Sequence, residues 1–180
     1  MPQITLIKDY IIIFFFSLIL SLVLTSIVRK AMLKLGILDM PSESRWHRQP
    51  VALIGGIAIF ISFVLVILLR VELKRGIIVI LAGGGIIFVL GLLDDLFGTR
   101  PRVKLLVQVI VAFGVAYFGV ASKILPYNWL NILLTVFWMV GLMNALNMLD
   151  NMDGLSSGIT IIAALAIFGL SLQKGEASVP

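Results

Sequence analysis

The sequence has 180 residues, of which 61% are hydrophobic and 13% are charged, and its mean hydropathy is +1.15. Since a soluble domain is about half apolar, this composition excludes a soluble globular protein and indicates a polytopic membrane protein. The sequence contains no cysteine, which excludes a disulfide framework and a thiolate metal site. No nucleic-acid-binding module is recognisable, so we assign the net charge of +5 to contacts with the lipid bilayer and anionic substrates.

Six apolar segments are candidates for membrane-spanning helices, because a span needs about 20 mostly apolar residues. The segments are Tyr10–Val28, Val51–Leu69, Gly76–Leu93, Leu105–Ala121, Trp129–Met148 and Leu155–Leu172. They are continuously apolar and lack the alternation of barrel strands. No small-residue cleavage site follows the first segment, so we interpret it as a retained span. The sequence therefore predicts an all-α membrane helical bundle, with residues 1–180 as one integral membrane domain.

The loop charges predict the orientation of the bundle. One side carries Arg29, Lys30, Lys34, Arg45, Arg48, Arg100, Arg102 and Lys104. The other side carries Lys8, Arg70, Lys74, Arg75, Lys123 and Lys174. Because cytoplasmic loops are enriched in Lys and Arg, the first side is predicted to be cytoplasmic. The short polar loop that follows the fifth segment lies on this same side.

A basic loop precedes the second apolar segment. Pro41 and Pro50 interrupt the helical pattern there, and between them lies the single histidine, His47, flanked by Arg45 and Arg48. Such a cluster can hold a phosphate through charge-assisted hydrogen bonds. The alternative is a juxtamembrane loop that contacts anionic lipid.

Two adjacent carboxylates, Asp94 and Asp95, follow the third apolar segment directly. A carboxylate near hydrocarbon costs several kcal/mol unless it is paired or bound to a cation. Magnesium with a phosphate-bearing ligand would offset that cost, because Mg²⁺ prefers hard oxygen ligands. The alternative is a helix end at the water interface, paired with arginines of the next loop. If a helix resumes near Pro101, Lys104 and Gln108 share one face of it.

Three consecutive glycines, Gly83 to Gly85, lie in the middle of the third apolar segment. Glycine lowers helix propensity, but it lets a second helix or a lipid chain approach the backbone closely. The run therefore predicts a close helix contact, with a ligand groove as the alternative.

Amides and carboxylates are concentrated at the end of the fifth apolar segment. At about 100° per residue, Asn144, Asn147 and Asp150 lie within roughly 120° of arc on one side of a helix. Asp153 follows in a turn closed by Gly154. These polar groups could coordinate metal, bind a nucleoside or accept a proton, and the alternative is an amide network that stabilises the bundle.

Together, the three polar stretches resemble the polyprenyl-phosphate N-acetylhexosamine-1-phosphate transferases, which form glycosyltransferase family 4. This superfamily includes the phospho-MurNAc-pentapeptide translocase and the initiating enzymes of O-antigen and teichoic-acid synthesis. The matching features are Asp39-x-Pro41 with His47, Pro50 and Gly55-Gly56, then Asp94-Asp95 with Lys104 and Gln108, and then Asn144-x-x-Asn147-x-x-Asp150 with Asp153-Gly154-Leu155.

The resemblance implies transfer of a sugar 1-phosphate from a UDP-N-acetylhexosamine to undecaprenyl phosphate, with release of UMP. It implies a requirement for Mg²⁺, for which Mn²⁺ could substitute. It also implies a multi-pass enzyme of the bacterial inner membrane, with its site on the cytoplasmic face, that initiates cell-wall or lipopolysaccharide glycan synthesis.

The same resemblance implies roles for individual residues. The catalytic carboxylates would be Asp94, Asp95, Asp150 and Asp153. Of these, the metal ligands would be Asp94, Asp95 and Asp150. The substrate-binding residues would be Arg45, His47, Lys104, Asn144 and Asn147. Lys104 would meet phosphate, and the two asparagines would orient the carboxylates of the third stretch.

The sequence departs from the family pattern in details and in length. Ser42 stands in place of the usual asparagine, Ala52-Leu53 in place of Pro-Arg, and Asn151 in place of glycine. The arginine near the first motif is displaced to Arg45. Family members have roughly ten spans, so we expect these six to correspond to the amino-terminal part of such an enzyme. We expect little turnover from them alone, with a homodimer or a missing carboxy-terminal half as partner, whether the enzyme is truncated, split or incomplete.

Two other functions share some of these features. A small membrane transporter or assembly subunit could line an ion path with the carboxylates, but it would place them near the bilayer midplane and show pseudo-repeats. A membrane prenyltransferase would also bind diphosphate through paired aspartates and magnesium. It would need a second aspartate-rich motif, which the asparagine-rich third stretch matches less well.

Overall fold

The computed structural model describes residues 2–36, 38–39, 51–52, 55–150 and 154–173. Within these ranges the chain forms six helices and one pair of two-residue strands. In chain order they are α1 (Pro2–Leu35), β1 (Leu38–Asp39), β2 (Val51–Ala52), α2 (Gly56–Arg70), α3 (Arg75–Phe97), α4 (Pro101–Tyr117), α5 (Asn128–Leu149) and α6 (Leu155–Gln173). The predicted all-α class and the predicted number of helices are confirmed for the described part of the chain.

The second helix begins later than the apolar pattern predicts. Val51 and Ala52 do not start it, because they pair antiparallel with Asp39 and Leu38. Gly55 forms the turn that leads into α2. The preceding proline and the glycine pair disfavour helix at this boundary, which outweighs the hydrophobicity of the segment.

Three helices are long and apolar enough to cross a membrane by length and composition: residues Tyr10–Leu35 of α1, α3 and α5. The apolar helix α2 has 15 residues, which corresponds to a length of about 22 Å. Many large apolar side chains are exposed, including Phe137 at 75% and Ile162 at 70%. Contiguous apolar exposure on this scale suits a surface covered by lipid. The protein is therefore a membrane protein, and that all six helices cross the bilayer stays a prediction.

The described residues divide into two compact units, and α3 contributes to both. The first unit comprises Met1–Leu81 and Phe88–Thr99, and the second comprises Ala82–Ile87 and Arg100–Pro180, in each case for the described residues. The prediction of one membrane domain is not tested by this division, so it stays a prediction.

In the first unit, α1 packs against α2. The buried stripe of α2 consists of Ala58, Ser62 and Val66, which recur every four residues along one face. The Ser62 hydroxyl donates to the carbonyl of Ala58 over 2.7 Å, so the polar member of the stripe is satisfied within the helix. Phe60 of α2 stacks on Phe88 of α3, with ring centroids 4.1 Å apart.

In the second unit, α5 packs against α4 and α6. The buried face of α4 consists of Gln108, Val111, Ala112, Val115 and Ala116. Gly83 of α3 lies so close to this face that an added Cβ would be 2.6 Å from Cγ2 of Val115. The predicted close helix contact at the glycine run is confirmed at Gly83.

The connection between α4 and α5 is held by a buried asparagine, Asn131, which is 5% exposed. Its Oδ1 accepts from the backbone nitrogens of Ile124 and Leu125, and its Nδ2 donates to the carbonyl of Leu125. The backbone nitrogen of Ser122 donates to Oγ of Thr135 over 2.9 Å. These bonds satisfy loop backbone groups that would otherwise be costly in an apolar setting. They fix α4 and α5 as antiparallel neighbours.

Candidate functional site

The paired carboxylates lie in the last turn of α3. Asp94 is half-buried and Asp95 is exposed. The helix ends at Gly98, which has a φ of +66° and donates its backbone N–H to the carbonyl of Asp94. Thr99 then donates twice to Oδ1 of Asp94, from its backbone nitrogen over 2.9 Å and from its hydroxyl over 2.6 Å. The glycine thus turns the chain back so that Thr99 fixes the orientation of one carboxylate.

Asp150 also lies at the carboxyl end of a helix, the fifth. It is the C-cap of α5, with φ −72° and ψ −3°, and its backbone nitrogen donates to the carbonyl of Leu146. Its helical conformation continues the helix from Asn144 and Asn147. The predicted alignment of these three polar residues on one side of α5 is confirmed.

Helix electrostatics give these carboxylates a shared property. The carboxyl end of a helix carries a partial negative charge, which repels an anionic side chain by about 0.3–1 kcal/mol at low ionic strength. The last turns of α3 and α5 contain no basic residue. Each of these helix ends therefore favours a bound cation. The carboxylates of Asp94, Asp95 and Asp150 are groups that can bind one.

Two side-chain hydrogen bonds connect α4 to α5. Lys104 donates from Nζ to Oδ1 of Asn147 over 3.2 Å, and Nδ2 of Asn144 donates to Oε1 of Gln108 over 2.8 Å. Lys104 precedes Gln108 by one turn, whereas Asn147 follows Asn144 by nearly one turn, as antiparallel helices require. The predicted common face for Lys104 and Gln108 is confirmed. The two bonds form a polar ladder that leads toward Asp150.

The amino end of α4 adds positive charge to this end of the helix pair. The helix starts with Pro101, preceded by Arg100 as N-cap, and Arg102 and Lys104 lie in its first turn. Helix amino ends carry a partial positive charge and free N–H groups, so they attract phosphate and carboxylate. A basic helix start beside an amide-bearing helix end is an arrangement that can bind a phosphorylated molecule.

An apolar groove of about 390 Å³ lies between α4 and α5, and Asn144 is the polar residue in its lining. Besides Asn144, its lining residues are Val109, Leu133, Val136, Phe137, Val140 and Gly141. The groove is open to the exterior of the helix pair and consists almost wholly of aliphatic and aromatic carbon. Its chemistry suits a hydrocarbon chain better than a polar molecule.

Comparison with known proteins decides the family. A sequence model of glycosyl transferase family 4 matches residues 77–179, which is more than half of the chain. The chain belongs to glycosyl transferase family 4. No solved structure matches this family 4 chain.

Curated relatives cover nearly all of the chain. A probable undecaprenyl-phosphate N-acetylglucosaminyl 1-phosphate transferase of Bacillus subtilis is 33% identical, and the match covers 92% of the chain and 49% of the relative. An undecaprenyl-phosphate alpha-N-acetylglucosaminyl 1-phosphate transferase of Thermotoga maritima is 35% identical, over 86% of the chain and 50% of the relative. A similar match to a phospho-N-acetylmuramoyl-pentapeptide-transferase of Limosilactobacillus fermentum, 36% identical, covers only 46% of the chain. The family 4 chain thus spans about half the length of the first two relatives.

The predicted site residues of the family 4 chain fall into three groups. Lys104, Asn144, Asn147 and Asp150 lie together in the second unit, joined by the ladder and by one helix. Asp94 and Asp95 belong to the first unit. Arg45, His47 and Asp153 lie outside the described residues. The catalytic, metal-binding and substrate-binding roles of all these residues stay predictions.

Two residues of the site received no role from the sequence. Thr99 donates hydrogen bonds to the Asp94 carboxylate. The sequence feature that could have indicated this contact is a hydroxyl residue directly after the turn at Gly98. Gln108 belongs to the family resemblance, but only the structure connects it to Asn144. Its burial, at 3% exposed, indicates a fixed side chain.

The donor set fits magnesium bound together with a substrate. Among the described residues, no three acidic or histidine side chains are close enough to hold a metal ion by themselves. Magnesium keeps several waters and usually binds proteins through one or two carboxylates plus substrate phosphates. The adjacent carboxylates at the negative end of α3 match that mode of binding rather than a protein cage with many ligands.

Proposed function

We propose that the protein transfers N-acetylglucosamine 1-phosphate from UDP-N-acetylglucosamine to undecaprenyl phosphate and releases UMP. An acceptor phosphate oxygen forms a bond to the sugar-bearing phosphorus, and the bond from that phosphorus to the UMP oxygen breaks. The observation that carries the proposal is the Lys104–Asn147 hydrogen bond beside Asp150, in a chain that matches two N-acetylglucosaminyl 1-phosphate transferases. The match to the muramoyl-pentapeptide enzyme covers less of the chain, which favours N-acetylglucosamine.

The chain's own residues supply the positive charge and the hydrogen-bonding groups that this reaction needs. Two anionic phosphates must approach each other, so cationic groups must offset their repulsion. Lys104, Arg102 and the amino end of α4 supply fixed positive charge for this task. Asn144 and Asn147 offer neutral hydrogen-bonding groups that orient a bound substrate without adding charge. Asp150 at this end of α5, and Asp153 three residues later in the sequence, are the proposed catalytic or nucleotide-binding pair.

Magnesium is the proposed cofactor, with manganese as a substitute. By the family resemblance, its proposed ligands are Asp94, Asp95 and Asp150, and the bound ion would neutralise phosphate charge. Thr99 fixes the Asp94 carboxylate through two hydrogen bonds to Oδ1. The fixed orientation of the carboxylate supports a role as ligand, because a preoriented ligand loses less entropy on binding.

The apolar groove between α4 and α5 supports a lipid acceptor. An isoprenoid chain can occupy an aliphatic groove, and Asn144 belongs both to the groove lining and to the polar ladder. The excess of basic residues in the loops on this side supports a cytoplasmic site at the inner membrane of a bacterium. A second copy of the chain, in a homodimer, is the proposed protein partner.

The carboxylates lie at helix ends, which weighs against the transporter alternative. Asp94 and Asp95 are in the last turn of α3, and Asp150 caps α5. A conducting path would place them deep within the helices.

The test measures UMP release, with and without Mg²⁺, in membranes from cells that express the protein from its own gene. UDP-N-acetylglucosamine, UDP-N-acetylgalactosamine and UDP-MurNAc-pentapeptide serve as donors, with undecaprenyl phosphate as acceptor. We expect release from the first donor, its loss in Asp94→Asn, and its retention in Glu72→Gln, which removes an exposed carboxylate elsewhere. Release that persists in Asp94→Asn, or that needs no divalent cation, would contradict the proposed roles. Release from the muramoyl donor alone would contradict the proposed sugar.

A further inference from the structure

Gln108 lies in the candidate site, and the proposed function gives it no role. It is 3% exposed on the buried face of α4, and its Oε1 accepts from Nδ2 of Asn144 over 2.8 Å. Nδ2 of Asn144 also donates to the backbone carbonyl of Val140 over 2.8 Å. Both amide protons of Asn144 therefore have acceptors within the second unit.

The chemistry of these acceptors determines which way the Asn144 amide faces. A backbone carbonyl only accepts hydrogen bonds, so the Asn144 atom that faces Val140 must be the nitrogen. The second proton on that nitrogen then meets Gln108, whose facing atom must be its oxygen. Because both protons of Nδ2 are engaged in this way, the other hydrogen-bonding group of the Asn144 side chain is its carbonyl oxygen, Oδ1. The chemistry that Asn144, a residue of the groove lining, retains for a bound molecule is therefore that of an acceptor and not of an NH₂ donor.

We infer that Gln108 is a positioning residue, which holds the Asn144 amide so that this side chain offers only a hydrogen-bond acceptor to a bound substrate. The consequence for catalysis rests on the proposed function. A donor group of the substrate, such as a hydroxyl or an N–H, is the complementary chemistry. Without Gln108 the second amide proton loses its acceptor, and the side chain can rotate to recover one elsewhere.

The first test measures the Asn144 amide directly and does not depend on any activity. The sequence contains five asparagines, so selective ¹⁵N labelling gives few side-chain signals, which single substitutions assign. We expect hydrogen exchange of the Asn144 amide to be about tenfold faster in Gln108→Met, the change that a hydrogen bond of about 1.4 kcal/mol corresponds to. Gln108→Glu keeps an acceptor and should restore slow exchange. The Asn131 amide, which is bonded within its own loop, serves as the internal reference.

The second test asks whether Gln108 acts through Asn144. We expect Gln108→Met to lower kcat/KM for UDP-N-acetylglucosamine about tenfold, and to have no further effect in an Asn144→Ala background. Val111→Ala, a buried change on the same helix, should lower thermal stability but leave both Asn144 exchange and kcat/KM near the parent values. A purely structural role for Gln108 predicts the opposite, namely equal losses in both backgrounds.

The outcomes separate this inference from the proposed function. Equal Asn144 exchange in the parent and in Gln108→Met would overturn the inference, whether or not the protein is a transferase. Undiminished losses in the Asn144→Ala background would overturn it as well. If the parent releases no UMP, the proposed function fails, and amide exchange still decides whether Gln108 holds Asn144.

Discussion

Lys104 and Asn147 are 43 residues apart in the sequence, yet Nζ of the lysine donates to Oδ1 of the asparagine over 3.2 Å. The bond joins the basic start of α4 to the amide-bearing end of α5. It also orients Asn147, since a lysine only donates and must face the amide oxygen. Asn147 is therefore held through its oxygen, whereas Asn144 is held through its NH₂ group, which donates to Gln108 and Val140. The two asparagines offer opposite hydrogen-bonding groups.

Removal of the Lys104 charge should impair catalysis far more than stability. Lys104→Met keeps most of the apolar stem and should lower kcat/KM for UMP release about 100-fold, because phosphate repulsion is no longer offset. The thermal midpoint should change little, since exposed polar pairs contribute about 0–1 kcal/mol. Lys123→Met, an exposed lysine in the loop between α4 and α5, is the matched control. A Lys104→Met protein with parent kinetics would contradict the assignment.

Loss of the Thr99 hydroxyl should loosen the Asp94 carboxylate. Thr99→Ala removes one of two donors to Oδ1, whereas Thr99→Ser keeps both. A hydrogen bond to a charged group contributes about 1.5–3 kcal/mol, so we expect Thr99→Ala to lower activity about tenfold. It should also reduce the rise in melting temperature that added Mg²⁺ produces in the parent. If Thr99→Ser loses as much activity as Thr99→Ala, the hydroxyl does not orient the Asp94 carboxylate for activity.

Substitution at Gly83 should destabilise the second unit through a steric contact. Gly83→Ala would place Cβ 2.6 Å from Cγ2 of Val115, and we expect a loss of about 1–3 kcal/mol. At Gly84 an added Cβ meets nothing within 4 Å, so Gly84→Ala should be neutral or slightly stabilising. Thermal unfolding in detergent measures both. Val115→Ala should partly rescue Gly83→Ala, and absence of rescue would contradict the proposed clash.

Filling the apolar groove should affect the lipid substrate selectively. Gly141 lines the groove, and an added Cβ there has no atom within 4 Å. Gly141→Leu should therefore fold, yet raise KM for undecaprenyl phosphate several-fold with little change in KM for the UDP-sugar. Gly169→Leu on α6, also at an open position, is the control. Equal KM changes for both substrates would argue against a lipid in this groove.

The sequence alone determined the helical membrane class and the number of helices, because long apolar runs in a bilayer must satisfy their backbone groups internally. It also determined the alignment of Asn144, Asn147 and Asp150, since helix periodicity fixes which residues share a side. It missed the strand pairing of Val51 and Ala52, which depends on a partner twelve or more residues away.

Only the tertiary structure decided which polar groups meet. The partners of Lys104 and Asn144 lie on another helix, and helix periodicity does not specify the register between two helices. That register follows from packing of the buried α4 face and from the Asn131 loop, which fix how far α5 slides along α4. The bond from Thr99 to Asp94 likewise required the left-handed turn at Gly98, a backbone choice that residue types allow but do not dictate.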